Sequence, residues 1–327
     1  MNTPHEDHRS KPDSPRIGLI GLGVMGRIYA GHLLGAHFRV VGHDVATRGL
    51  EPLADRGLAL AGSARDVAAQ SDVVLLALPS PDALRDAMLG EAGVLHGARR
   101  GTLVIDLSTV DPFTCRELYQ AARERGVSFL EAPVSGGEPQ CAGMEGAKAA
   151  NITFLVGGDA EAFERAKPVL QVLGKHWFHL GPAGTGSIVK LISNLIAGLN
   201  NLVAAEGFIL GAAAGIPWQT LIEVFRHTDA KSYQIMDYML PRMTRGDFEP
   251  GFSVDLQYKD HRLAAELAHQ LRVPLPLNAF AIQVYQELRA KGRGGRDFTD
   301  ALNLIGEWAG VDFAHPREAE AGTPEAE

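Results

Sequence analysis

The chain has 327 residues, of which 46% are hydrophobic and 21% charged, and its formal net charge is −8. The length suits two domains rather than one small core, and the balance of residues excludes bulk disorder. The acidic charge and the lack of a basic block argue against a nucleic-acid binder and against a protein of anionic membrane surfaces.

The 37 glycines follow no three-residue period, which excludes a collagen-like fibre. No uninterrupted apolar run reaches 18 residues, so no transmembrane helix is expected, and the polar start lacks the apolar core of a secretory signal. Cys115 and Cys141 lie in neither a CxxC nor a zinc pattern, which fits a reduced, cytoplasmic protein without a metal site.

Residues 1–14 and 316–327 are charged and offer nothing to bury, so both read as disordered tails. From 15 to 181, short apolar runs alternate with alanine-rich amphipathic runs. The apolar runs are 17–20, 38–42, 73–78, 103–106, 128–131, 152–157 and 177–180; the amphipathic ones are 27–34, 63–69, 82–88, 112–125 and 160–173. Strands apolar throughout are buried on both faces, which predicts a mostly parallel sheet covered by helices, an α/β domain of Rossmann type. After Pro182 the strand pattern stops. Residues 187–214 predict one long interdomain helix, followed by helices over 218–226, 234–242, 254–269, 276–291 and 298–308. The second domain, 182–315, is expected to be all-helical and to serve substrate binding and dimerisation.

The first candidate site is the loop after the first strand. Gly21, Gly23 and Gly26 form GxGxxG between a strand and a helix, with Leu22, Val24 and Met25 between them. The pattern permits a tight turn, close approach of a pyrophosphate to the backbone, and close packing of helix on strand. Asp44 ends the second strand, 18 residues after Gly26. A carboxylate there accepts ribose hydroxyls and repels a 2′-phosphate, which predicts NAD. Arg48, one turn later, keeps NADP as the second candidate. A strand-end aspartate that merely caps a turn is the bland alternative.

Leu78, Pro79, Ser108 and Thr109 follow the third and fourth long strands, at the carboxyl edge where such sheets bind ligands. Ser108 and Thr109 also suit a helix N-cap before Pro112. Ser135, Gly136 and Gly137 form a Ser-Gly-Gly turn whose backbone N–H groups suit a small carboxylate. Lys190 and Asn194 are four residues apart and share a helix face. The ammonium is flanked by Ile188, Val189, Leu191 and Ile192; partial desolvation there favours proton transfer near neutral pH. A snorkelling lysine is the alternative. Glu266 with His269, His176 with His179, and the glycine-rich run 291–297 are read as a solvated face, strand residues and a loop.

Taken together, GLIGLGVMG (18–26), DLST (106–109), APVSGG (132–137), GTGSIVKLISN (184–194) and FSVDLQYKD (252–260) resemble the β-hydroxyacid dehydrogenase family. 3-Hydroxyisobutyrate dehydrogenase and tartronate semialdehyde reductase are familiar members of that family. The resemblance implies Lys190 as catalytic acid/base and Asn194 as a residue that orients the substrate. It implies Ser135, Gly136 and Gly137 as ligands of the substrate carboxylate. Thr109 and Lys259 would contact the cofactor, with Asp260 supporting Lys259. Apart from the resemblance, the glycine- and alanine-rich long helix, with Gly198, Ala204, Ala205, Gly207, Gly211 and Gly215, permits close helix–helix approach and suggests a homodimer or homotetramer built through the helical domains. The segment 138–151 is longer than the family's usual turn, and 226–233 matches no named substrate class. Lys190 disfavours an imine reductase on the same fold; Lys190 and Asn194 together disfavour a non-catalytic dinucleotide module.

Overall fold

The computed structural model describes residues 14–136 and 144–316. The expected tails at 1–13 and 317–327, Gly137, and residues 138–143 of the 138–151 segment, Cys141 among them, therefore lie outside the described residues. The chain divides into two compact units, residues 1–191 and 192–327.

The first unit is a sheet flanked by helices. In chain order its strands are β1 (Ile17–Ile20), β2 (Val40–His43), β3 (Ala59–Leu60), β4 (Val73–Leu76), β5 (Leu103–Asp106), β6 (Ser128–Glu131), β7 (Val134–Gly136), β8 (Ile152–Gly158) and β9 (His176–His179). The order is β3-β2-β1-β4-β5-β6-β8-β7, with β9 beside β8. Pairs from β3 through β6 are parallel, while β8 runs antiparallel to β6 and β7. The order reverses between β1 and β4, the switch point where ligands bind in open parallel sheets.

Strand periodicity explains the burial. Ile17 and Leu19 of β1 join one apolar cluster with Leu75 and Ile105, while Ile20, Val74, Leu76 and Val104 join a second. Alternate residues thus feed opposite faces, and both faces are covered. Ser63, Ser80 and Asp111 each cap a following helix by accepting a backbone N–H three residues on.

The second unit is helical. The long helix Thr185–Ala213 crosses the division, and then come Trp218–Phe225, Leu240–Arg245, Val254–Leu271, Pro276–Ala290 and Ala301–Ala309. Its core gathers Phe208, Ile209, Ile222, Met239, Leu302 and Ile305. The helix expected over 234–242 differs in register: Gln234–Met239 is a π-helical stretch that passes into Leu240–Arg245. Asp297, fully buried, ties the surrounding loops together. Its Oδ2 accepts from the Tyr238 hydroxyl (3.0 Å) and from the N–H groups of Gly251 (2.9 Å) and Phe252 (3.2 Å). Its Oδ1 accepts from the N–H and hydroxyl of Thr299.

Among the described residues, Thr185–Ala213 is long and apolar enough to cross a bilayer by length and composition, with a mean hydropathy of 1.5 over 18 residues, a test that a buried core helix also passes.

Candidate functional site

The glycine-rich loop between β1 and the helix Val24–Gly35 is built by three glycines with three different constraints. Gly21 has φ +90°, and a Cβ there would sit 2.3 Å from the Ala77 carbonyl oxygen at the end of β4. At Gly26 a Cβ would lie 1.9 Å from the Gly21 oxygen, so loop and helix touch. At Gly23 a Cβ would meet nothing within 4 Å. The space above Gly23 is open, and no side chain caps the helix that follows it. The first-turn N–H groups and the positive helix end therefore face that space, which fits the pyrophosphate of a dinucleotide. Leu22 is buried beneath the loop, Val24 is exposed and Met25 half-buried.

Asp44 follows β2 and does two things. Its Oδ2 accepts the Leu22 N–H at 2.6 Å and its Oδ1 accepts the Ala46 N–H at 2.8 Å. The capping alternative is thus present alongside the half-buried, anionic position that ribose recognition needs. Arg27 braces the same loops: its guanidinium donates to the carbonyls of Leu22, Arg48 and Gly49.

Beyond β4 and β5, Ser108 Oγ accepts the Leu78 N–H at 2.9 Å, and Ser108 donates its own N–H to Asp106 Oδ1 at 3.0 Å. This joins two of the sequence-derived segments at one sheet edge. Pro79 is exposed there and Thr109 half-buried. The N-cap role considered for Ser108 and Thr109 belongs instead to Asp111, whose Oδ1 accepts the Thr114 N–H at 2.8 Å. Asp111 directly precedes Pro112 at the first helical position, so Ser108 and Thr109 fall short of the helix start.

Ser135 and Gly136 do not form the expected turn. They belong to β7, with Ser135 opposite Thr153 and Gly136 opposite Ile152 in β8. Pairing with β8 occupies backbone groups that a nest would have left free.

Lys190, 7% exposed, lies in the second turn of the long helix, and Asn194 follows at 9%. The start of this helix is held by a residue that the sequence reading missed. Glu131, the last residue of β6, is fully buried, and its Oε1 accepts the N–H groups of Gly184 (2.6 Å) and Gly186 (3.1 Å). Its carboxyl is pushed up to about 7, chiefly by burial, with Asp106 adding to the rise. The signal in the sequence was a single acid closing an otherwise apolar strand. Cys115, free and buried, sits 3.1 Å from Ser187 Oγ at the same helix start, and burial pushes its thiol up.

In the second unit Asn194 Nδ2 donates to Asp260 Oδ2. Asp260 is 1% exposed and pairs through Oδ1 with Lys259 Nζ at 3.2 Å. Gln257 Nε2 donates to the Asn194 carbonyl at 3.1 Å. A Cβ at Gly198 would lie 2.3 Å from both Gln257 and His261, so this glycine is what lets the helix Val254–Leu271 press on the long helix. The sequence placed Lys259 and Asp260 only through a resemblance; the structure joins them to Asn194. Residues 226–231 are exposed, while Gln234 beyond them is buried.

Residues 16–181 match the domain described as the NAD binding domain of 6-phosphogluconate dehydrogenase. Residues 184–305 match the domain described as NAD-binding of NADP-dependent 3-hydroxyisobutyrate dehydrogenase. The 2-(hydroxymethyl)glutarate dehydrogenase of Eubacterium barkeri is 35% identical over 301 residues, covering 92% of this chain and 98% of that protein. The 3-hydroxyisobutyrate dehydrogenase of Mycobacterium tuberculosis, solved with L-serine, superposes with a TM-score of 0.81 at 31% identity, covering 89% of this chain and 99% of that one. The V8 variant of an imine reductase from Myxococcus stipitatus, solved with NAD+, shares the fold at 23% identity and a TM-score of 0.58 over 89% of this chain and 99% of its own. Two matching domains in series, and relatives aligned from end to end, settle the affiliation: the chain belongs to the β-hydroxyacid dehydrogenase family, NAD(P)-linked oxidoreductases.

Proposed function

We propose that the protein oxidises the CH–OH group of a small 3-hydroxy acid, or reduces the matching aldehyde, with NAD as the preferred cofactor and Lys190 as the acid/base. The observation that carries this reading is the pair Lys190 and Asn194, both buried and one helical turn apart. Bound NAD supplies the hydride acceptor. Lys190 takes the hydroxyl proton during oxidation and returns it to the forming alkoxide during reduction. Asn194, oriented by Asp260, aligns the substrate, while Ser135, Gly136 and Gly137 hold its carboxylate through the Ser135 hydroxyl and backbone groups that pairing with β8 leaves open. Gly21, Leu22, Gly23, Val24, Met25, Gly26 and Asp44 hold the adenosine half of the cofactor; Leu78, Pro79, Thr109 and Lys259 serve the rest.

The relatives support this class, since 2-(hydroxymethyl)glutarate, named in one of them, and L-serine, bound in the solved structure of another, each carry a hydroxyl β to a carboxylate. The same reading assigns cofactor binding to 15–181 and substrate binding and self-association to 182–315, in a cytoplasmic homodimer or homotetramer. Val203 and Leu210, at 68% and 72% exposure on the long helix, support the self-association. Asn201 of that helix, fully buried, donates to the Phe298 carbonyl, which favours a protein core over a bilayer for this segment. The test is an NAD-reduction screen over 3-hydroxy acids, with an amine panel beside it. Turnover confined to amines would overturn the reading.

A further inference from the structure

The long helix starts at a place where β6, β8 and the helix Pro112–Glu124 converge. Glu131 from β6 reaches into that junction, and its Oε1 serves both the Gly184 and the Gly186 N–H. These belong to the set of N–H groups that a helix start leaves without intrahelical partners. The fit is close on every side. A Cβ at Gly157 in β8 would fall 2.0 Å from Glu131 Oε1, and a Cβ at Gly186 would fall 2.1 Å from the Leu155 oxygen. Gly184 has φ +94° and packs on Pro112 and Arg116. Glu131 Oε2 is buried and finds no hydrogen-bond partner among the described residues. A carboxyl this deeply desolvated is held in one place by the two helix N–H groups. Asp106 from β5, and Cys115, Asp111 and Arg116 around the Pro112–Glu124 helix, are the other titratable or charged groups at the junction.

Lys190 follows Gly186 by four residues, about one turn or 6 Å along the helix. Glu131 also directly precedes the 132–136 stretch that leads into β7. One side chain therefore fixes the helix that carries the acid/base to the strand that leads to the carboxylate ligands.

We propose that Glu131 is a positioning residue for proton transfer: by accepting the N–H groups of Gly184 and Gly186, it sets the place of Lys190 relative to the 132–136 segment. The proposal rests on Lys190 as acid/base. A shift of about 1 Å at a reacting group lowers turnover by up to roughly 100-fold. Glu131→Asp withdraws the acceptor by one methylene and cannot serve both N–H groups; Glu131→Gln keeps the acceptor oxygen and the reach.

The experiment measures kcat, KM, NAD affinity and melting temperature for Glu131→Asp, Glu131→Gln, Lys190→Ala and Glu131→Asp in the Lys190→Ala background, using the 3-hydroxy acid turned over best in the screen. Glu131→Asp is expected to lower kcat about 10–100-fold with KM and NAD affinity within about threefold of wild type. Glu131→Gln is expected to keep kcat within about threefold. In the Lys190→Ala background Glu131→Asp is expected to cost less than about twofold, because the group it positions is gone. The proposal is overturned by a Glu131→Asp kcat near wild type, by a Gln variant as slow as the Asp variant, or by a full further loss in the Lys190→Ala background. If Glu131→Asp does not fold, a tenfold loss in Glu131→Gln overturns it alone. Wild-type turnover in Lys190→Ala would instead refute the acid/base reading, whatever the Glu131 variants do.

Discussion

Leu22 donates its backbone N–H to Asp44 at 2.6 Å, so the glycine-rich loop and the end of β2 are joined by the group that would meet the adenosine ribose. A 2′-phosphate placed there would meet like charge. We expect kcat/KM for NAD to exceed that for NADP by about tenfold or more, and Asp44→Ala to narrow the ratio mainly by weakening NAD. Steady-state kinetics with both cofactors and one substrate decides it. An NADP preference would point to Arg48 or His43.

Gly23 and Gly26 separate binding from folding. Gly23→Ala adds a methyl to open space and should leave the melting temperature within a few degrees, while NAD affinity falls about tenfold or more. Gly26→Ala drives a methyl into the Gly21 carbonyl and should cost about 3 kcal/mol or more in stability. Denaturant titration and NAD binding on the two variants read both effects.

Lys190→Ala should lower kcat by roughly 10²–10⁴-fold, the usual contribution of a placed general acid or base. NAD affinity should hardly change, and stability should hold or rise, because a buried ammonium is removed. A snorkelling lysine would give the reverse pattern: little loss of turnover and some loss of stability.

Glu131 makes stability depend on pH. Its folded-state carboxyl is raised to about 7, above the ordinary value near 4.5, so between those values the folded state holds a proton that the unfolded state has released. Stability from this group is therefore full at low pH, declines as pH rises towards 7, and levels off above. The total is about 3 kcal/mol as an order of magnitude. Glu131→Gln should remove that slope, so it gains on wild type from pH 5 to pH 8 in paired denaturant melts. Equal shifts at both pH values would count against it.

Asn194→Ala should act on both chemistry and stability. It takes a donor from Asp260, which is buried and keeps only its Lys259 partner among the contacts described above. A loss of about 1–3 kcal/mol is expected by denaturant titration, together with a lower kcat. Asn194→Asp should be worse, because it sets two carboxylates side by side.

The parallel sheet was legible because β1, β4 and β5 are apolar at almost every position, which only burial on both faces explains. The glycine-rich loop and the Lys190–Asn194 spacing were legible for a similar reason: each is a local pattern with a local geometry. What escaped depends on distant partners. β7 is half-buried and exists by pairing with β8, and β3 is two residues long. The π-helical register at Gln234–Met239 has no periodic mark in the sequence. Glu131 and Asp297 are isolated acids whose significance lies in which N–H groups and hydroxyls fold around them, and Asp260 was reached only through the resemblance.

Asp297 has a consequence for the timescale of loop motion. Gly251 and Phe252 lie outside regular secondary structure, yet their amides end on a carboxylate that solvent does not reach. To exchange with deuterium they must leave a buried carboxylate that Tyr238, Thr299 and Arg242 hold in place, and water must reach them there. These loop amides should therefore exchange at the pace of the helices beside them, so that a segment irregular in shape behaves in time as part of the most protected structure.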